Sequence, residues 1–299
     1  MRKLTTVHYF IACGITDSIN LCASFIPWLE AYNIWIYSLE GVCQIVVYLK
    51  HLSDFLSSWY LALALLDIWI GNLCSLSPKR YCTVFKTRAL ILAVFKLALV
   101  ALLYLTWTYG PIAVSGRFLC EVIEQARDAM VVLSVMRIIF ASLIPATVVF
   151  VLIILLISTC CRCKQDTSTR ANKESIFIPL QSQRSSLSKA SDRLKINRRC
   201  LTSLCLVLGL FFMLIAMPRS VIILRLTFLK YQSHGPPPMQ LMALEQLTSQ
   251  LYYIHFAWKF LIYFIFLKHF RSRMWKCFSY KRKRNPRENR ECIVDGDLV

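Results

Sequence analysis

The sequence predicts an all-α membrane protein, a helical bundle that crosses the bilayer several times. Three observations predict it. Hydrophobic residues make up 57% of the 299 residues and charged residues 17%, against about half and about a quarter in ordinary soluble domains. Six stretches, 8–29, 44–74, 87–109, 131–159, 199–226 and 246–267, are largely apolar and reach the roughly 20 residues that a spanning helix requires. The 35 Lys+Arg against 16 Asp+Glu give a net charge of +19, gathered between the apolar stretches. Disorder needs low hydrophobicity and is excluded. A nucleic-acid binder would use the basicity but not the apolar excess, so no nucleic acid is expected as a partner. Unbroken apolar runs exclude a membrane β-barrel, whose strands alternate.

Residues 1–7 form a short basic start with Arg2 and Lys3. The first span, 8–29, is too long for a cleavable signal and lacks its small-residue cleavage pattern, so the chain is expected to open directly on it. The second, 44–74, is the longest. At about 1.5 Å per residue it exceeds an upright crossing and is expected to tilt or protrude. A loop with Lys79, Arg80, Lys86 and Arg88 leads to the third span, and a mixed loop with Glu121, Glu124 and Arg127 leads to the fourth. Residues 160–198 form a basic, Ser-rich loop, expected to be mobile, whose Ser185, Ser186, Ser188 and Ser191 are kinase candidates or plain solvated serines. After the fifth span, Pro236-Pro237-Pro238 marks a loop, and His255 and Lys259 make the sixth span the least apolar. Residues 268–278 place Phe270, Met274, Trp275 and Phe278 on one helical face among basic residues, the composition of an interfacial helix on anionic lipid. Residues 279–299 form the tail, whose closing Asp297-Leu298-Val299 is a weak PDZ-type signal.

Most of the 35 Lys and Arg fall at the start, in the second and fourth connections and in the tail. The positive-inside rule therefore puts both termini in the cytoplasm. No internal repeat supports an inverted-repeat transporter. That topology sorts the 13 cysteines. Only Cys43 and Cys120 face the oxidising side, where disulfides persist, so they are expected to pair. The Cys160-Cys161-Arg162-Cys163 cluster is either palmitoylated or a set of unmodified interfacial thiols; for Cys277 palmitoylation is favoured. Scattered histidines give no zinc spacing. Neither a nucleophile elbow, a phosphate loop nor a paired catalytic acid occurs, so no enzyme activity and no cofactor are expected.

Phe10-Ile11-Ala12, Ile15-Thr16-Asp17-Ser18, Cys43, Asp67, Pro145, Phe212, Pro218 and Tyr263, in this order and spacing, resemble rhodopsin-like (class A) G-protein-coupled receptors of the invertebrate peptide-receptor type. Phe10-Ile11-Ala12 and Ile15-Thr16-Asp17-Ser18 resemble the family's second helix, with Asp17 at its sodium-site acid. Cys43 matches the disulfide cysteine opening the third helix, and Asp67 stands where the acid of the Asp-Arg-Tyr motif falls, at the family's own spacing. Pro78-Lys79-Arg80-Tyr81-Cys82 resembles the second intracellular loop. Pro145, Phe212 with Pro218, and Tyr263 with Phe270-Arg271 match landmarks of the fifth, sixth, seventh and short eighth helices. The resemblance implies a six-span bundle like a seven-helix receptor without its first helix, plus a short interfacial helix.

Four departures accompany it. The first helix has no counterpart. The Asp-Arg-Tyr position reads Asp67-Ile68-Trp69, so the arginine that engages the G protein is absent. Lys259 replaces the asparagine of the Asn-Pro-x-x-Tyr motif that ends at Tyr263, and Ala216 replaces the sixth-helix tryptophan. The resemblance implies a receptor on the plasma membrane sensing a peptide or anionic ligand. The departures argue against conventional coupling and leave open a non-signalling decoy, accessory protein or truncated receptor product. Membrane lipid, a peptide ligand and a G protein are the partners so implied.

An ionisable group inside a span is costly and is usually paired or functional. By the resemblance, Lys50, Asp54 and Arg219 line the ligand pocket, with Lys50 arguing against an amine ligand. Equally, Lys50 snorkels outward or pairs with Glu40, or the three form a self-satisfied structural cluster. Retinal is excluded because Tyr253, not Lys259, holds the Schiff-base position. The resemblance also places Asp17 opposite Lys259, with Ser57 among the polar neighbours. A direct Asp17–Lys259 salt bridge is expected to take the place of the sodium ion and lock two helices; the alternative is that both are separately solvated.

Overall fold

The computed structural model describes residues 5–32, 34, 36, 37, 39, 41–73, 83–114, 117–174, 185–232 and 238–266, with backbone alone across 160–174 and 185–200. Among the described residues, five helical segments are long and apolar enough to cross a membrane: Thr6–Leu29, Val42–Gly71, Val84–Thr108, Ala129–Thr159 and Leu201–Leu229. The chain is thus a helical, multi-pass membrane protein. Its first helix, α1 (Thr6–Ala31), carries Pro27 within its last turns. Gly41, at φ +80°, turns the chain into α2 (Val42–Leu73), the 32-residue helix at the centre of the bundle. The third span is two pieces, α3 (Val84–Ala101) and the single turn α4 (Leu105–Thr108). Thr83 caps α3 by accepting from the Lys86 N–H at 3.4 Å.

A two-stranded antiparallel hairpin follows, β1 (Tyr109–Val114) against β2 (Arg117–Val122), with Pro111 opposite Cys120. This hairpin is an addition to the expected all-helical chain. It leads through one 3-10 turn, Glu124–Ala126, into α5 (Arg127–Ile138). A π-helical stretch, Ile139–Leu143, joins α5 to α6 (Ile144–Glu174). The basic 160–198 segment departs from the expected loop: α6 continues to Glu174, and α7 (Ser185–Gln232) already begins at Ser185. The last helix is α8 (Met239–Phe266). It coincides with the sixth expected span but is not among the five apolar segments, because Glu245, Gln246, Gln250, His255 and Lys259 dilute its apolar residues. The expected interfacial helix 268–278, the tail 279–299 and Cys277 lie outside the described residues.

The bundle core joins α1, α2, α6, α7 and α8 through Leu61, Leu65, Val149, Leu156, Leu208 and Phe256. Gly209 sets the spacing there: a Cβ on it would stand 3.0 Å from Ile153 Cδ1 and 3.3 Å from Val149 Cγ1, so a hydrogen lets α7 lie close on α6. A second cluster seats α3 and α4 on α2 through Leu52, Leu56, Tyr60, Ala98 and Leu105. The outward residues are apolar too, as a hydrocarbon solvent allows; Ile15, Leu97, Leu214 and Ile265 are all exposed.

Pro145 explains the π stretch. A proline has no N–H to return to the carbonyl four residues back, here that of Ala141. The π turn instead bonds the Ile144 N–H to Ile139 O, and α2 supplies the missing donors. Ser58 Oγ donates to Ala141 O at 2.8 Å, and Trp59 Nε1 to Phe140 O at 3.1 Å. The broken helix is thereby welded to the central one.

Candidate functional site

Polar groups occupy three levels inside the bundle, and α2 contributes to each. Successive turns of α2 present Asp54, Ser57, Leu61, Leu65 and Ile68 at helical spacing to the interior, so two polar residues enter the same seam as the apolar core. The first level lies beneath the disulfide that joins Cys43 to Cys120, Cα to Cα 5.5 Å. The bond ties the head of α2 to β2, with Tyr37, Val46 and Ile26 packed around it.

Asp54, from α2, meets Tyr252, from α8, and Arg219, from α7. Tyr252 Oη donates to Asp54 Oδ1. Arg219 Nη1 stands 3.8 Å from Asp54 Oδ2, and its guanidinium carbon lies 4.1 Å over the Tyr252 ring. Arg219 reaches this point from the turn after Pro218, where Ser220 Oγ bonds the Ala216 carbonyl at 2.8 Å. Its Nε is buried with no hydrogen-bond partner among the described residues. Lys50 does not join them: its ammonium sits 4.9 Å over the Tyr253 ring. Of the expected trio, Asp54 and Arg219 are brought together, and Tyr252 is the third member the sequence did not reveal. Beside it, Arg137 Nη1 is 2.5 Å from His51 Nε2, joining α5 to α2; neither residue was singled out by sequence, though each is an ionisable group inside an apolar stretch.

No protein-family model matches the chain, and no curated protein does. The geometry therefore has to speak for itself.

The second level is the Asp17–Ser57–Lys259 triad. Lys259 Nζ is 3.2 Å from Asp17 Oδ1 and 2.6 Å from Ser57 Oγ. Ser57 Oγ in turn donates to Asp17 Oδ1 at 2.6 Å. One hydroxyl thus accepts from the ammonium and donates to the carboxylate. Cys13 Sγ approaches Asp17 Oδ2 at 3.7 Å. Lys259 is 2% exposed and Asp17 5%, so α1, α2 and α8 are joined by a dry ion pair. A turn above on α8, His255 is buried among Phe211, Phe212, Tyr252 and Phe256, with neither ring nitrogen bonded among the described residues.

The third level lies at the far end. Asp67 Oδ2 accepts from Thr5 Oγ1 at 2.7 Å and Thr6 Oγ1 at 2.5 Å, so the acid holds the start of α1. Ile68 is buried in the main core and Trp69 packs against it. Tyr263 lies in α8 with its side chain outside the described residues. Among the described residues, no three His, Cys, Asp or Glu side chains group as metal ligands. The chemistry on offer is an enclosed guanidinium with spare donor capacity and a charge-paired helix lock.

Proposed function

We propose that the chain is a receptor-like membrane protein of the rhodopsin-like type, without enzymatic activity, that senses an extracellular peptide or small anionic ligand. The observation that carries this reading is the charged cluster beneath the disulfide-tied hairpin. Asp54, Tyr252 and Arg219 converge from three helices, and the buried Arg219 Nε has no partner among the described residues. A ligand carboxylate satisfies such a donor with a charge-assisted hydrogen bond. In this reading α8 is the sixth span. Its polar His255 and Lys259 are turned inward, away from lipid, while Leu247, Leu251, Trp258 and Ile265 are exposed. Both termini lie in the cytoplasm, the protein sits in the plasma membrane, and the 268–278 helix with a palmitoylated Cys277 lies on the inner leaflet.

The test is binding by the full chain displayed on cells, with synthetic peptides bearing either a free or an amidated C-terminus. Free carboxylates should bind better, and Arg219→Gln should weaken them at least about tenfold; equal binding of both sets sinks the ligand class. A second reading, a decoy or accessory protein that binds without coupling, is favoured by one observation. Ile68 is sealed in the core where the resembling family carries its coupling arginine. Ile68→Arg should raise nucleotide exchange on a G protein if the chain signals. No gain with any G protein favours the decoy.

A further inference from the structure

Charged groups deep in the described spans find partners, with one exception. Asp17 pairs with Lys259, Asp54 with Arg219 and Arg137 with His51, and the Lys50 ammonium stands over the Tyr253 ring. Lys96 is exposed, and no carboxylate or hydrogen-bond partner meets it among the described residues. It is the midpoint of the 25-residue segment Val84–Thr108, whose most apolar stretch is 17% buried, the smallest share among the five. At about 1.5 Å per residue its Cα lies about 18 Å along α3 from Val84, near the middle of the crossing. The face around it is smooth and apolar: Ala89, Leu92, Ala93, Val100 and Leu103 are exposed with it. The two alanines admit a neighbouring helix closely.

A lone ammonium on lipid is costly, and what relieves it must carry negative charge at that depth. Headgroups stand about 15 Å from the midplane of a hydrocarbon core about 30 Å thick. The lysine stem reaches about 6 Å at about 1.5 Å per bond, so a lipid phosphate stays out of range by about 9 Å. Among the described residues, a second copy of this chain has no free carboxylate at that depth: Asp17 and Asp54, the acids deep in the spans, are already paired. We infer that Lys96 and the α3 face around it dock a transmembrane helix of a different protein, one that carries an acidic residue near mid-bilayer. This interface is independent of the ligand cluster, and its failure would leave that reading untouched.

The test reconstitutes the full chain in phosphatidylcholine vesicles with a synthetic polyleucine helix bearing Asp, Asn or Leu at its centre, association being read by energy transfer. The Asp helix should bind at least about tenfold more tightly than the Leu helix, with Asn between. Lys96→Leu should abolish the preference and Lys96→Arg should retain it. Lys96→Leu places an apolar group on lipid, so the fold is expected to persist; an unchanged melting temperature checks it. Equal binding of the three helices, or a preference that survives Lys96→Leu, overturns the inference. So does Lys96-dependent transfer between labelled copies of this chain, which would assign self-association. A Lys96 effect that needs phosphatidylserine would assign an anionic headgroup, and overturns it too.

Discussion

A carboxylate and an ammonium buried separately in a membrane protein would each cost several kcal/mol, and proximity offsets much of that. The Asp17–Ser57–Lys259 triad is built on this offset. Removing one partner leaves an uncompensated charge, so Asp17→Asn and Lys259→Asn should each destabilise by about 3–5 kcal/mol. The double variant should be milder than their sum, measured by thermal unfolding of the lipid-reconstituted protein; additive losses would show the pair does not couple. Because an ammonium and a hydroxyl already face Asp17 Oδ1, exchanging sodium chloride for choline chloride should leave Tm unchanged. In Lys259→Asn, sodium should raise it. Tyr252→Phe should cost about 1.5–3 kcal/mol, since it removes the phenol's hydrogen bond to the part-buried, charged Asp54 carboxylate. The opposition of Asp17 and Lys259 was legible only through the resemblance, which sets the two positions face to face; the cost of lone charges in apolar stretches then called for a pair. Tyr252 was not: an aromatic residue in an apolar helix reads as packing until its hydroxyl is seen to meet an acid.

At the scale of elements, the α5–α6 break and α2 depend on each other. Ser58 feeds a carbonyl that Pro145 cannot serve, so Ser58→Ala should cost about 1–3 kcal/mol. Pro145→Ala restores an N–H within the helix, and in that background the Ser58→Ala loss should shrink. A loss of the same size in both backgrounds, by thermal unfolding, would disconnect the proline from the serine. Pro145 was visible as a landmark, but nothing in its neighbourhood announced that the donors come from a helix more than 80 positions earlier. The basic 160–198 segment shows the opposite error. Its serines and charges read as loop, yet backbone helix enters it from both sides, since Lys, Arg and Gln are good helix formers once a membrane helix supplies the nucleus.

The whole molecule is constrained at its disulfide end by a bond across 77 positions. Reduction, or Cys43→Ser with Cys120→Ser, should lower stability by about 2–5 kcal/mol, read as a fall in Tm. The charge asymmetry makes a separate prediction about orientation. Protease added to sealed, right-side-out cells should spare residues 160–198 and cut them only after permeabilisation; cleavage from outside would invert the topology.

Apolar run length and the placement of Lys and Arg determined by themselves that this chain is helical and crosses a membrane repeatedly, because a bilayer solvates each span nearly independently of the others. The same one-dimensional logic sorted Cys43 and Cys120 to one end. What the tertiary structure alone decided is which polar groups meet: Asp54 with Tyr252 rather than Lys50, His51 with Arg137, Thr5 and Thr6 with Asp67, and Lys96 with no partner among the described residues. Such pairings depend on the rotation of each helix about its axis and on its depth beside its neighbours. Those quantities are set by packing such as Gly209 against Ile153, and no local stretch of sequence encodes them.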